Sequence, residues 1–140
     1  MEWKEALPLL QENHTGVAIS VTSKGRAQST IVSTAVLDDK LGFASRGYTV
    51  KVKNIERTGR AAVTVIKLDT RRYVTVEGPA SIETWHDKPA HIKRLKEFYV
   101  SMGRAPKGTD EEFAQQMRDE ERNLVLVTPE HLYGSLRSGA

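Results

Sequence analysis

Residues 45–54 read SRGYTVKVKN, which puts Arg46, Lys51 and Lys53 beside the hydroxyls of Ser45 and Thr49. So much donor capacity in one short stretch has two readings. It is a solvated turn, or it is a cradle for a phosphate. If Thr49 opens a helix, the amide N–H groups of the first turn and the helix dipole both favour an anion there. Lys51 then lies in that first turn, and Arg46 reaches the same point from the end of the preceding strand. Two or three charge-assisted bonds would contribute roughly 1.5–3 kcal/mol each before desolvation and ordering costs.

A second stretch, RAQSTIVSTA, carries hydroxyls at Ser29, Thr30, Ser33 and Thr34 on both faces of an expected strand. Serine and threonine suit strands without further purpose. The functional alternative is that one face lines a cavity, where hydroxyls and strand amides meet the polar edge of a flat ligand. Taken together, an anion cradle and a polar slot suit a cofactor with a ring at one end and a phosphate at the other.

Other chemistry finds little support. The four histidines (His14, His86, His91 and His131) are scattered, and the spacing of His86 and His91 does not place them on one helical face. They read as ordinary surface histidines, with no metal expected. There is no Gly-x-Ser-x-Gly elbow and no phosphate loop of the Walker or Rossmann type. The stretch KPAHIKRLK reads as the wet side of a helix whose other side is Ile92, Leu95 and Phe98. Arg71 and Arg72 are surface residues, or they meet an extended acidic tail of a ligand. Trp85 reads as a core or interface anchor.

The elements that must position these residues follow from periodicity and turn chemistry. The chain has 140 residues with 39% hydrophobic, 28% charged and no cysteine. One domain over residues 1–140 is expected, without disulfides or cysteine-based zinc sites. A formal net charge of +3 falls short of the concentrated basic face of a nucleic-acid binder. No apolar run is long enough to span a membrane, and the opening MEWKEALPLL lacks a signal-peptide pattern, so a cytoplasmic protein is expected.

Residues 2–12 predict a short amphipathic helix that Pro8 makes start late or kink. Strands are predicted at Val17–Thr22, Ala27–Leu37 and Leu41–Ser45, joined by the tight turns SKGR and DDK. TVKVKNIERTGR alternates like a strand, but Thr49 as a cap, Gly59 as a stop and the charged Glu56-Arg57 run favour a helix. Ala61–Ile66 and Tyr73–Ile82 follow as strands, with a bulge or an edge at Gly78-Pro79. Helices are predicted at Asp87–Met102 and, capped by Thr109 or Asp110, through Arg118. A last strand covers Asn123–Thr128. Six strands with helices packed outside predict a closed antiparallel β-barrel.

The order of these features resembles the split β-barrel superfamily of flavin and deazaflavin proteins, the pyridoxamine 5′-phosphate oxidase-like proteins. The segments that carry the resemblance are ENHTGVAISVTSKGRAQSTIV, FASRGYTVKVKNIERTGRAAVTV, RRYVTVEGPASI and RNLVLVTPEHLYG. The Lys51-x-Lys53-Asn54 pattern, with a basic residue between lysine and asparagine, is most similar to the coenzyme F420-dependent reductases. The resemblance implies a six-stranded antiparallel split barrel, a homodimer with cofactor sites at the interface, and hydride transfer from reduced deazaflavin to an electron-poor organic acceptor. It places the phosphate on Lys51 and Lys53 with Thr49 and Ser45 beside it, the ring along Ser29 and Thr30, Arg46 as a further contact, and Arg72 with Tyr73 at the strand start that brings the second subunit near the site. FMN in the same site is the alternative cofactor, and a non-catalytic carrier of flavin, haem or tetrapyrrole is the alternative role. Two departures stand out. Arg57-Thr58-Gly59-Arg60 replaces the family's Arg-Asp-Pro-Arg, and LYGSLRSGA replaces the Arg-Leu-x-Pro ending that holds substrate in pyridoxamine phosphate oxidases. The second speaks against pyridoxal phosphate synthesis.

Overall fold

The structure, a computed structural model, describes residues 1–137; the last three residues of LYGSLRSGA lie outside it. In chain order the elements are α1 (Trp3–Glu12), β1 (Thr15–Val21), β2 (Ala27–Leu37), β3 (Lys40–Arg46), α2 (Val50–Thr58), β4 (Arg60–Lys67), a 3-10 turn (Leu68–Thr70), β5 (Arg72–Glu83), α3 (Pro89–Ser101), α4 (Asp110–Glu120), β6 (Arg122–Val127) and β7 (His131–Ser135). Six antiparallel strands run β4-β1-β2-β3-β6-β5, and β5 pairs back to β4 to close the barrel. The expected closed six-stranded barrel is therefore present, with one strand more. β7 adds to the edge of β5, pairing Tyr73–Glu77 with Ser135–His131. That strand escaped the sequence reading because it is short and half-exposed, with Gly134 inside it and Pro129 just before.

Alternation builds the core. Val63, Val65, Val74, Val76, Val125 and Val127 point into the barrel, and Leu9 and Leu10 of α1 with Ile55 of α2 join the same cluster. β6 is buried on both faces, so it reads as a continuous apolar run rather than an alternating one. Its Leu124 and Leu126 face outward beneath Leu95 and Phe98 of α3 and Phe113 and Met117 of α4. Arg94 anchors α3 to the barrel by ion pairs with Asp38 in the β2–β3 turn at 2.6 Å and Glu83 at 2.9 Å, and Glu97 of the same helix holds its guanidinium at 3.0 Å.

Several local expectations hold for the stated reasons. The DDK turn puts Asp38 and Asp39 in the left-handed region, with φ of 55° and 54°, as a two-residue hairpin demands. Gly59 closes α2 with φ 70°. Thr109 caps α4 through a full capping box with Glu112. α3 begins at Pro89, not Asp87, because proline's fixed φ suits the first helical position. Pro8 neither delays nor divides α1, which runs through it from Trp3. The lost amide bond is tolerated in a helix held by its buried Ala6, Leu9 and Leu10. His91 corrects the expectation of surface histidines: it is 3% exposed, its Nε2 lies 2.9 Å from the Arg122 carbonyl, and it packs edge-on to Trp85. Among the described residues no helix is long and apolar enough to cross a membrane.

Gly78-Pro79 is the place where β5 changes neighbour on one edge, from β7 to β6. A side chain at residue 78 would put its Cβ 2.0 Å from the Thr128 carbonyl oxygen. Gly78→Ala is therefore expected to destabilise the fold by about 3 kcal/mol through forced backbone movement. Urea unfolding should show a lowered midpoint at unchanged slope; an unchanged midpoint would refute this account of the corner.

Candidate cofactor-binding cavity

β2 pairs with β1 over residues 27–33 and with β3 over residues 34–37. β3 in turn pairs with β2 only over residues 40–43, while residues 44–46 pair with β6 alone. The sheet thus splits between Ile31–Ser33 and Ala44–Arg46, leaving two strand edges without a partner strand. A cavity of about 370 Å³ lies in that split, walled by Ile31, Val32 and Ser33 on one side and Ala44, Ser45 and Arg46 on the other. Thr49 and Lys51 of α2, Phe98 and Tyr99 of α3, and Arg104 and Arg122 complete it.

The N-terminus of α2 opens onto this space. Thr49 makes no side-chain capping bond, and the first turn carries no acidic residue. Its hydroxyl instead lies 3.2 Å from that of Ser45, so the amides of the first turn are left for another acceptor. The turn before the helix is pinned by Asn123, 4% exposed, whose Nδ2 donates to the carbonyls of Gly47 at 2.6 Å and Ser45 at 3.4 Å. Its Oδ1 accepts from the Trp85 amide at 2.9 Å.

Cations dominate the electrostatics. Lys51, Arg46, Arg104 and Arg122 all line the cavity. Glu120 offsets part of this charge by accepting from Arg46 and Arg122, each at 3.3 Å. Lys51 has no carboxylate partner among the described residues. Burial, and then the nearby Arg122 guanidinium, hold its ammonium below the ordinary 10.5. Burial lifts the Tyr99 phenol above its ordinary value, with the Arg122 guanidinium opposing. A desolvated lysine beside an arginine is the arrangement that an arriving anion relieves.

Of the residues singled out from sequence, Ser45, Arg46, Thr49 and Lys51 meet in this cavity. Ser29 and Thr30 do not line it; the three residues after them do. Ser29 faces outward, exposed, while Thr30 accepts from Gln28 in a polar chain that runs through Ser20 to Asn54. Lys53 stands exposed on α2 with its ammonium 5.5 Å from the Tyr48 ring centroid. Two residues along a helix turn a side chain by about 200°, away from Lys51. Arg72 lies in a separate cleft with Lys67, Glu5 and Glu12, against α1. Sequence reasoning missed Tyr99, Arg104 and Arg122. Only Arg122 had a local signal, as the polar residue heading an apolar strand.

Because the native chain holds the Lys51 proton less tightly than the unfolded chain, this group adds stability as pH rises through its lowered native value toward 10.5. Side-chain NMR of labelled lysine should find the Lys51 midpoint below those of exposed lysines, and Arg122→Gln should move it upward. A midpoint at the ordinary value would remove the electrostatic basis given above.

Comparison with known proteins bears on the fold. No curated protein matches the chain. Among solved structures, an F420 reductase is 21% identical with a TM-score of 0.65, over 90% of this chain and 94% of that one. A pyridoxamine 5′-phosphate oxidase-related, FMN-binding protein from Nostoc punctiforme is 17% identical with a TM-score of 0.67, covering 94% and 82%. The haem storage protein HutZ from Vibrio cholerae is 15% identical with a TM-score of 0.68, covering 96% and 95%. At such identities these likenesses speak to the fold. Residues 3–135 match the family described as pyridoxamine 5′-phosphate oxidase, and the chain belongs to that family.

Proposed function

We propose that this protein is an oxidoreductase that binds reduced coenzyme F420 in the split of the barrel and serves hydride transfer to an electron-poor organic acceptor. The observation that carries this reading is Lys51, a half-buried cation without a carboxylate partner at the uncapped start of α2. The residues present fit a phosphate-bearing cofactor: Lys51, the hydroxyls of Ser45 and Thr49, and the first-turn amides supply donors converging on one place. The deazaflavin, when bound in its reduced form, supplies the hydride. The chain's own part is to anchor the phosphate, to offer the free edges of β2 and β3 to the polar rim of a ring, and to exclude water with Phe98 and Tyr99.

A cofactor with a further acidic tail gives the cavity's four cations, which Glu120 offsets only in part, a second anionic partner. The Lys51-x-Lys53-Asn54 pattern and the fold likeness to an F420 reductase support the same choice. FMN is the second reading, favoured by the FMN-binding neighbour, since the anion cradle serves either phosphate. A carrier without turnover is a third outcome, in keeping with a haem storage protein of this fold.

The protein works as a homodimer in this proposal. Ile31, Val17, Thr64, Thr75 and Tyr133 stand in one row across five strands, on the outward face, where Ile31 is 77% exposed. Ile31 is also a wall of the cavity, so a second chain on this face would close the open side of the site. Sedimentation of the native chain should give a dimer, and Ile31→Lys a monomer with weakened cofactor binding. A native monomer at all concentrations would refute the pairing.

Titration of cofactor-free protein with the deazaflavin and with FMN tests the main reading. Micromolar or tighter deazaflavin binding is expected, with FMN at least about tenfold weaker. Lys51→Ala should weaken the tighter ligand by about tenfold or more with little change in Tm. Preferred FMN binding would move the protein to the flavin side. Equal loss of Tm with unchanged binding would show Lys51 to be structural.

A further inference from the structure

The helical excursion between β5 and β6 holds a second cavity that the cofactor reading does not use. It has a volume of about 290 Å³ and lies beneath the loop that joins α3 to α4. Phe113 and Met117 of α4, both buried, form its apolar floor together with Pro106 of the loop. Arg104 and Lys107 stand on its rim. Among the described residues neither makes an ion pair, and no carboxylate lines the cavity. Tyr99 and Arg104 belong to both cavities, so the two spaces share a wall. Tyr99 is held there by an edge-on contact with Phe113, ring centroids 6.1 Å apart. The loop is fixed at its start by bonds from the Gly103 amide to the Val100 carbonyl at 2.9 Å and from the Arg104 amide to the Tyr99 carbonyl at 3.1 Å.

An apolar floor beneath unpaired cations selects a ligand that is apolar at one end and anionic at the other. The volume, about 290 Å³, is at the small end of the roughly 300–1,000 Å³ usual for ligand pockets and suits about one ring and a short acid. We infer that this cavity is a ligand site for a small aromatic or apolar carboxylate, set apart from the hydride-transfer site by the shared wall of Tyr99 and Arg104. Its ring rests on Phe113 and Met117, and its carboxylate meets Arg104 and Lys107. Binding of such a molecule here does not depend on the hydride-transfer reading above.

Cinnamate and its neutral counterpart cinnamamide are suitable probes, because they share a ring and differ in charge. The cofactor-free full chain is titrated with each while backbone amide shifts are followed by NMR. Saturable cinnamate shifts are expected at Tyr99, Ala105, Lys107, Phe113 and Met117, with cinnamamide at least about tenfold weaker. Lys107 lines only this cavity and is exposed, so Lys107→Gln should fold normally. It should weaken cinnamate by about fivefold to tenfold and leave deazaflavin affinity unchanged. Equal binding of the two probes, an unaltered affinity in Lys107→Gln, or shifts confined to Ser33, Ser45 and Lys51 would each overturn the proposal. So would the absence of saturation by about 20 mM, well above the millimolar range of a weak site. Cinnamate binding as expected, with no deazaflavin binding, would sink the function and leave this cavity standing.

Discussion

Along β2 the backbone changes neighbour at Ser33–Thr34, pairing with β1 before that point and with β3 after it. A strand edge that has lost its partner must find other acceptors and donors or face water. Here it faces a cavity whose far wall is the equally unpartnered end of β3. The twist that lets one strand serve two neighbours also brings the first turn of α2 to the mouth of the gap, because α2 follows β3 after only Gly47, Tyr48 and Thr49. Polar main chain and helix terminus thus meet in one site through β2, β3 and α2, which follow one another directly in the chain.

The charge in that site is arranged on several elements and balanced only in part. Glu120 takes up the guanidiniums of Arg46 and Arg122, which keeps three charged groups together, with Glu120 and Arg122 partly buried and Arg46 exposed. Lys51 is left out of this exchange. Its ammonium is disfavoured by burial and by Arg122, a cost that the fold carries in the free state and a bound anion removes.

Much of this was readable from residue types, and the limits are instructive. Thr49 and Gly59 bracket α2 correctly because caps and left-handed stops are local chemistry. The barrel followed from alternation and hairpin residues such as Asp38-Asp39. β7 did not follow, because five half-exposed residues containing a glycine give no clear period. Arg104 and Tyr99 reach the cavity only through tertiary packing of an excursion that sequence spacing places far from Lys51, and Arg122 only through the β3–β6 register that sets it opposite Arg46. Lys53 shows the converse: adjacency in sequence to Lys51 put it on another face of the helix. Arg72 joins the site by family likeness through a second subunit, and within one chain it lies in a cleft against α1.

Asn123 has a further consequence. The last rung between β5 and β6 joins Glu83 to Leu124, and Asn123 ties its own end of the intervening stretch to Trp85 at the other. The whole excursion containing α3 and α4 therefore leaves and re-enters the barrel at one point. Chain closed at its base in this way can be lengthened or exchanged at small entropic cost, while the anion turn held by the same asparagine stays in place. The architecture separates a socket fixed by the barrel from a cover joined to it at one point, so that the cover can change without disturbing the socket.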